Sequence, residues 1–133
     1  MPSLRIVLVD DNSEFLKSAR GLLSLNPCLD IIGTAASGIE AIDKINRLRP
    51  DLALIDWAMP GMTGLETMRF LKARLSAPKI VLLTFHDIPL YRTAALAAGA
   101  DGFLNKADWT SALSPLLRDL FPDWTEEIER RPG

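Results

Sequence analysis

Apolar positions fall in five short, nearly unbroken runs, at residues 4–9, 31–36, 52–55, 80–83 and 102–104. The first four are rich in Val, Ile and Leu and hardly alternate with polar residues. Strands covered on both faces read this way, as in a parallel sheet. Between the runs the apolar residues recur at helical spacing. Phe15, Leu16, Ala19, Leu22 and Leu23 form one stripe, stopped by Asn26-Pro27. Ser37-Gly38-Ile39-Glu40 reads as a capping box, in which each side chain satisfies the other residue's free backbone donor. Ala41, Ile42, Ile45 and Leu48 then supply the stripe of a second helix, ended by Arg49-Pro50-Asp51. Met68, Leu71 and Leu75 mark a third helix, closed before Pro78. Pro89 stands near the start of a fourth, which carries Tyr91, Ala94, Ala95 and Ala98, and Gly99 is placed to end it. Asp108 is the expected N-cap of a fifth helix bearing Leu113, Leu116, Leu117 and Leu120. Pro115 falls inside that pattern and should kink the helix or delay its start.

The alternation is strand-helix five times over. Right-handed crossovers then give an α/β fold with helices on both faces of a parallel sheet. For five strands the expected arrangement is a doubly wound sheet of order 2-1-3-4-5, a flavodoxin-like three-layer sandwich. One domain is expected over residues 1–121. Residues 122–133 are polar and charged apart from Trp124 and Ile128 and read as a tail or the beginning of a linker.

Composition narrows the classes. With 15 basic and 17 acidic residues among 133, the net charge of −2 gives no general attraction to nucleic acid or to acidic membranes. Cys28 is the single cysteine and cannot form an internal disulfide, which fits a reducing cytoplasm; a buried apolar thiol is its expected role. No stretch approaches the roughly 20 apolar residues of a membrane helix, and the first apolar run is too short for a signal-peptide core.

In an open parallel sheet, ligands bind beyond the carboxyl ends of the strands, where the winding reverses. Asp10 and Asp11 follow the first run, Asp56 the third, and Thr84 the fourth; Lys106 stands two residues past the fifth. Only Ser37 follows the second. In the order 1-3-4-5 the occupied ends are neighbours, so three carboxylates, a hydroxyl and an ammonium converge on one edge. Carboxylates so close repel and need neutralising. Mg²⁺ is suited to this, since it takes oxygen ligands and commonly keeps positions for water and phosphate oxygens. His86 is the only histidine and Cys28 is remote in sequence, so a zinc site is not expected. With the metal in place one carboxylate can attack a phosphoryl group while metal and lysine neutralise its oxygens. Asp56 is placed for this, because it opens a loop through Met59-Pro60-Gly61 to Gly64 with the residues to turn tightly around an anion.

These residues resemble the receiver domains of bacterial response regulators. The resemblance rests on Val9-Asp10-Asp11-Asn12, the run from Pro50 to Asp56, the run from Met59 to Glu66, Leu82-Leu83-Thr84, and the run from Gly99 to Lys106. It covers roughly residues 4–120. It implies that Asp56 is phosphorylated by a sensor histidine kinase or a phosphotransfer protein. It implies that Asp11, Asp56 and the backbone carbonyl of Ala58 ligate Mg²⁺ directly and that Asp10 holds a metal-bound water. Thr84 is then the hydroxyl that moves toward the phosphoryl group, Phe103 the aromatic that swings inward behind it, and Lys106 the lysine paired with the phosphoryl oxygens. The surface of the fourth helix, fifth strand and fifth helix would be read by an output partner, with a homodimer as a further outcome. The fixed core aromatic is the simpler reading of Phe103.

Three positions depart from the family pattern. Phe85 stands where a small residue is usual, and its ring is expected to narrow access to Asp56. Ala107 stands where many members have proline, so the lysine loop is expected to be held less rigidly. Ala58 and His86 occupy the two positions that commonly tune the lifetime of the phosphorylated state. Met59, Met62 and Met68 read as packing, and Trp109 and Trp124 as interaction-surface or loop residues.

Four functions are weighed. The first is a phosphorylation-controlled signalling switch that is no enzyme beyond its own phosphorylation and dephosphorylation. The second is a receiver-like scaffold that binds partners without phosphorylation, which Phe85 keeps open. The third is an aspartate-nucleophile phosphatase of the haloacid dehalogenase kind, disfavoured because the acids at 10 and 11 are adjacent and no cap domain fits. The fourth is the receiver part of a DNA-binding regulator; the chain itself contains no helix-turn-helix segment and is not expected to contact nucleic acid or membrane.

Overall fold

The computed structural model describes residues 3–85 and 89–129. The chain alternates as β1 (Leu4–Val9), α1 (Ser13–Leu23), β2 (Leu29–Ala35), α2 (Gly38–Leu48), β3 (Leu52–Asp56), α3 (Gly64–Lys72), β4 (Lys79–Thr84), α4 (Pro89–Ala97), β5 (Gly102–Asn105), α5 (Trp109–Leu120) and α6 (Pro122–Glu129). The five strands form one parallel sheet in the order β2-β1-β3-β4-β5, as the apolar runs predict.

Strand side chains alternate between two cores, which is why the runs look unbroken in sequence. Val7, Val9, Ala53, Ile55, Ile80, Leu82 and Phe103 pack with Ala41 and Ile45 of α2 and Met68 and Leu71 of α3. Ile6, Leu8, Leu52, Leu54, Val81, Leu83 and Leu104 pack with Ala19 and Leu23 of α1 and Leu113 and Leu117 of α5. Asp56 has the parity of Leu52 and Leu54, so its side chain leaves the strand toward α1 and α5.

Several details differ from the sequence expectations. The Ser37 hydroxyl accepts the Glu40 N–H, but the Glu40 carboxylate accepts from Ala36 N–H at 3.1 Å. The full capping box forms instead at α3, where Thr63 and Glu66 satisfy each other's backbone donors. Leu75 lies beyond the end of α3 and is fully exposed, and Leu22 is half exposed, so neither belongs to a buried stripe. Helix α5 begins at Trp109 with Pro115 inside it, and Asp108 makes no side-chain capping bond. Trp109 is neither a loop nor a surface residue: it is 6% exposed and meets Phe15 at 5.9 Å between ring centroids. Residues of the expected tail form α6, which lays Trp124 against the core beneath α1 and α5. Cys28 is free and buried, as expected.

Among the described residues no helix is long and apolar enough to cross a membrane.

Candidate functional site

The site forms because the strand register brings separate parts of the chain to one edge. Val9 pairs with Ile55, so Asp10 and Asp56 leave adjacent strands side by side. Asp56 pairs with Leu83, which sets Thr84 one residue beyond it. Thr84 pairs with Asn105, and Lys106 N–H donates to the Thr84 carbonyl at 2.9 Å. The edge is then fixed from the helices. Asn12 caps α1 by accepting from Glu14 and Phe15 N–H, while its own N–H donates to Asp10 Oδ1 at 2.9 Å. Gly64 comes so close to the backbone of Asp56 that a Cβ there would collide with the Asp56 carbonyl oxygen. Its N–H closes the loop on Trp57 O at 2.9 Å. The need for glycine at this position is thus a close approach between β3 and the start of α3.

Asp10, Asp11, Asn12, Asp56, Ala58, Thr84, Phe85 and Lys106 line a cleft of about 220 Å³. Asp10, Asp56 and Thr84 are buried, and Asp11 is exposed. One carboxylate oxygen from each of Asp10, Asp11 and Asp56 lies within 4.8 Å of the others. That is the spacing a single hard cation needs to touch or nearly touch all three. The donor set is all carboxylate oxygen, which suits a hard divalent cation such as Mg²⁺.

Lys106 supplies the positive charge within the cluster. Its ammonium lies 2.5 Å from Asp10 Oδ2 and 3.0 Å from Asp56 Oδ1, with a side chain only 6% exposed. The rings of Phe15 and Phe85 flank it, with centroids at 4.4 and 5.4 Å. A cation over an aromatic face gains about 0.5–1 kcal/mol at the surface and ~2 kcal/mol when desolvated. Burial pushes the Asp56 carboxyl up to about 6, and the charges of Asp10 and Asp11 add to that; the Lys106 hydrogen bond opposes it.

Asp10, Asp11, Asp56, Thr84 and Lys106, the polar residues expected at the strand ends, therefore meet in one cleft. Phe103 is 6% exposed, packed edge-on to Trp57 at 6.3 Å, with the Arg92 guanidinium over its face at 4.8 Å. It lies in the core opposite to that of Asp56. His86 lies outside the described residues. Sequence reasoning missed the part of Phe15, because nothing local links it to a lysine on another strand. It also missed Asp101, which accepts from Lys72 at 2.5 Å and from Ile80 N–H at 2.8 Å and so ties α3 and β4 to the loop before β5.

Residues 6–115 match the model of the response regulator receiver domain. The nitrate/nitrite response regulator NarP of Escherichia coli is 37% identical over 114 residues, covering 86% of this chain and 53% of that protein. A protein-glutamate methylesterase/protein-glutamine glutaminase of Nocardioides is 37% identical over 108 residues, covering 80% of this chain and 30% of that protein. This chain thus spans about half of the length of the first of these curated relatives and under a third of the second. The signal receiver domain of NarL from Mycobacterium tuberculosis superposes with a TM-score of 0.76 at 33% identity, covering 80% of this chain and 86% of that one.

Proposed function

Since the chain belongs to the response regulator receiver family of two-component systems, we propose that it is a Mg²⁺-dependent phosphorylation switch in the cytoplasm with Asp56 as acceptor. One observation carries the reading. The Asp56 carboxylate lies 3.0 Å from the Lys106 ammonium and shares a cleft with two further carboxylates at metal-sharing distance.

Asp11, Asp56 and the Ala58 carbonyl would hold Mg²⁺ directly, with Asp10 acting through a water. The bound ion would draw charge from the equatorial phosphoryl oxygens and offset the repulsion among the acids. The Asp56 carboxylate oxygen attacks phosphorus. The bond to the donor breaks, a kinase phosphohistidine for instance, and the donor nitrogen keeps the electron pair and takes up a proton. An aspartyl phosphate results. Lys106 is already aimed at the carboxylate and pairs with a phosphoryl oxygen once Asp56 is esterified. Thr84, at the end of the neighbouring strand, supplies a hydroxyl to another oxygen. Movement of Thr84 releases space for Phe103 to shift, which alters the α4-β5-α5 surface for an output partner. The chain performs no other catalysis.

Acetyl phosphate with Mg²⁺ should add one phosphoryl group per chain by intact mass. Asp56→Asn, or chelation of the metal, should leave no adduct. A parent protein that takes no phosphoryl group under these conditions supports the phosphorylation-independent scaffold instead.

A further inference from the structure

The Lys106 ammonium is gripped from two chemically different sides. Asp10 and Asp56 hold it by charge, while Phe15 and Phe85 present their rings to it. The loop around it is held by backbone and turn bonds that do not reach the ammonium. Lys106 N–H bonds Thr84 O, Ala107 N–H bonds the Asn105 side chain at 2.9 Å, and the residue after the lysine is an alanine with no ring to stiffen the turn. Phe15 is anchored by its contact with buried Trp109. Phe85 is not: it is 66% exposed, yet it lines the cleft beside Asp56, Ala58 and Thr84. The face of this ring is turned to the Lys106 ammonium, 5.4 Å from its centroid, which is the contact that gives it a place at the cleft wall.

We infer that Phe85 is a positioning residue, which together with Phe15 clamps the Lys106 ammonium on Asp56 and walls the cleft against water and small phosphodonors. The kinetic part of this rests on the switch reading. Loss of the phosphoryl group requires a water oxygen to bond phosphorus while the bond to the Asp56 oxygen breaks. Carboxylate and inorganic phosphate are released, and the water's protons pass to the phosphate and the solvent. A ring at the wall reduces the room for that water. It also keeps the lysine from swinging away when the Asp56 charge is rearranged by esterification. The two effects separate by side chain. Leu keeps most of the bulk and loses the aromatic face, Tyr keeps the face, and Ala keeps neither.

The test compares parent, Phe85→Ala, Phe85→Leu and Phe85→Tyr. Phosphoryl loss after removal of donor is followed by intact mass, and acetylation of Lys106 by acetic anhydride in metal-free buffer is followed by peptide mass. Phe85→Ala should lose its phosphoryl group about five to ten times faster than the parent and acetylate at Lys106 faster by a similar factor. Phe85→Leu should fall between, and Phe85→Tyr should match the parent. Ala rates equal to the parent's in a phosphorylated protein overturn the wall, and Leu rates equal to those of Tyr overturn the aromatic clamp. A parent that accepts no phosphoryl group contradicts the switch reading, and the acetylation series then decides the clamp by itself.

Discussion

Replacing Lys106 by methionine should destabilise the metal-free protein by about 3 kcal/mol, the scale for removing one partner of a buried charge cluster. The ammonium is almost wholly buried between Asp10 and Asp56. Methionine restores much of the volume but leaves three carboxylates facing one another. Their mutual repulsion pushes the Asp56 carboxyl further above its ordinary range. The deficit should therefore grow as the pH rises and the acids ionise. Mg²⁺ should bind the variant more tightly than the parent, since the ammonium no longer competes for the same oxygens, and should restore much of the stability. Urea denaturation with chelator and with Mg²⁺ reads both effects. An equal deficit in the two buffers would show that the lysine does not stand in the place of a cation.

Asp56→Asn should have the opposite sign. Burial and the neighbouring acids raise the Asp56 carboxyl from 3.8 to about 6, despite Lys106. An acid raised on folding binds its proton more tightly in the native state. Its contribution is fully present below the unfolded value near 4, and it is lost as the pH climbs to about 6. At pH 7 the ionised group then costs the metal-free fold roughly 3 kcal/mol, at 1.36 kcal/mol per pH unit. The neutral, nearly isosteric asparagine escapes that cost. Without metal at pH 7 the variant should unfold at a temperature several degrees above the parent, and at pH 4 the two should converge. Saturating Mg²⁺ should narrow the gap at pH 7, because only the parent retains the full carboxylate set. Thermal unfolding across that pH range decides it, and a parent more stable than the variant in chelator at pH 7 would count against a strained acid at this position.

Most of this fold is legible in the sequence. The strands announce themselves because both faces are covered, so β3 carries five consecutive buried residues with no polar interruption. The polar site was legible for the same reason. Once the strand ends are located, the doubly wound order dictates that Asp10, Asp56, Thr84 and Lys106 are neighbours. What escaped was set by tertiary contact. Helix α6 offers little apolar signal beyond Trp124 and Ile128, and it has no buried residue. Leu75 follows the helical spacing of α3, but the chain has left the helix by then. The Ser37-to-Glu40 motif invited a reciprocal cap, yet the carboxylate found Ala36 N–H. The complete box at Thr63-Gly64-Leu65-Glu66 carries the same signature and was available to be read. The pairing of Phe15 with Lys106 had no local signature, because it joins α1 to the loop after β5.

Titration of metal-free protein with Mg²⁺ by isothermal calorimetry tests the carboxylate cage itself. One saturable site per chain is expected, lost in Asp11→Ala, whose exposed side chain is removed at little cost to the fold. No saturable heat in the parent, or an unchanged isotherm in Asp11→Ala, would contradict a divalent-ion site built from Asp10, Asp11 and Asp56.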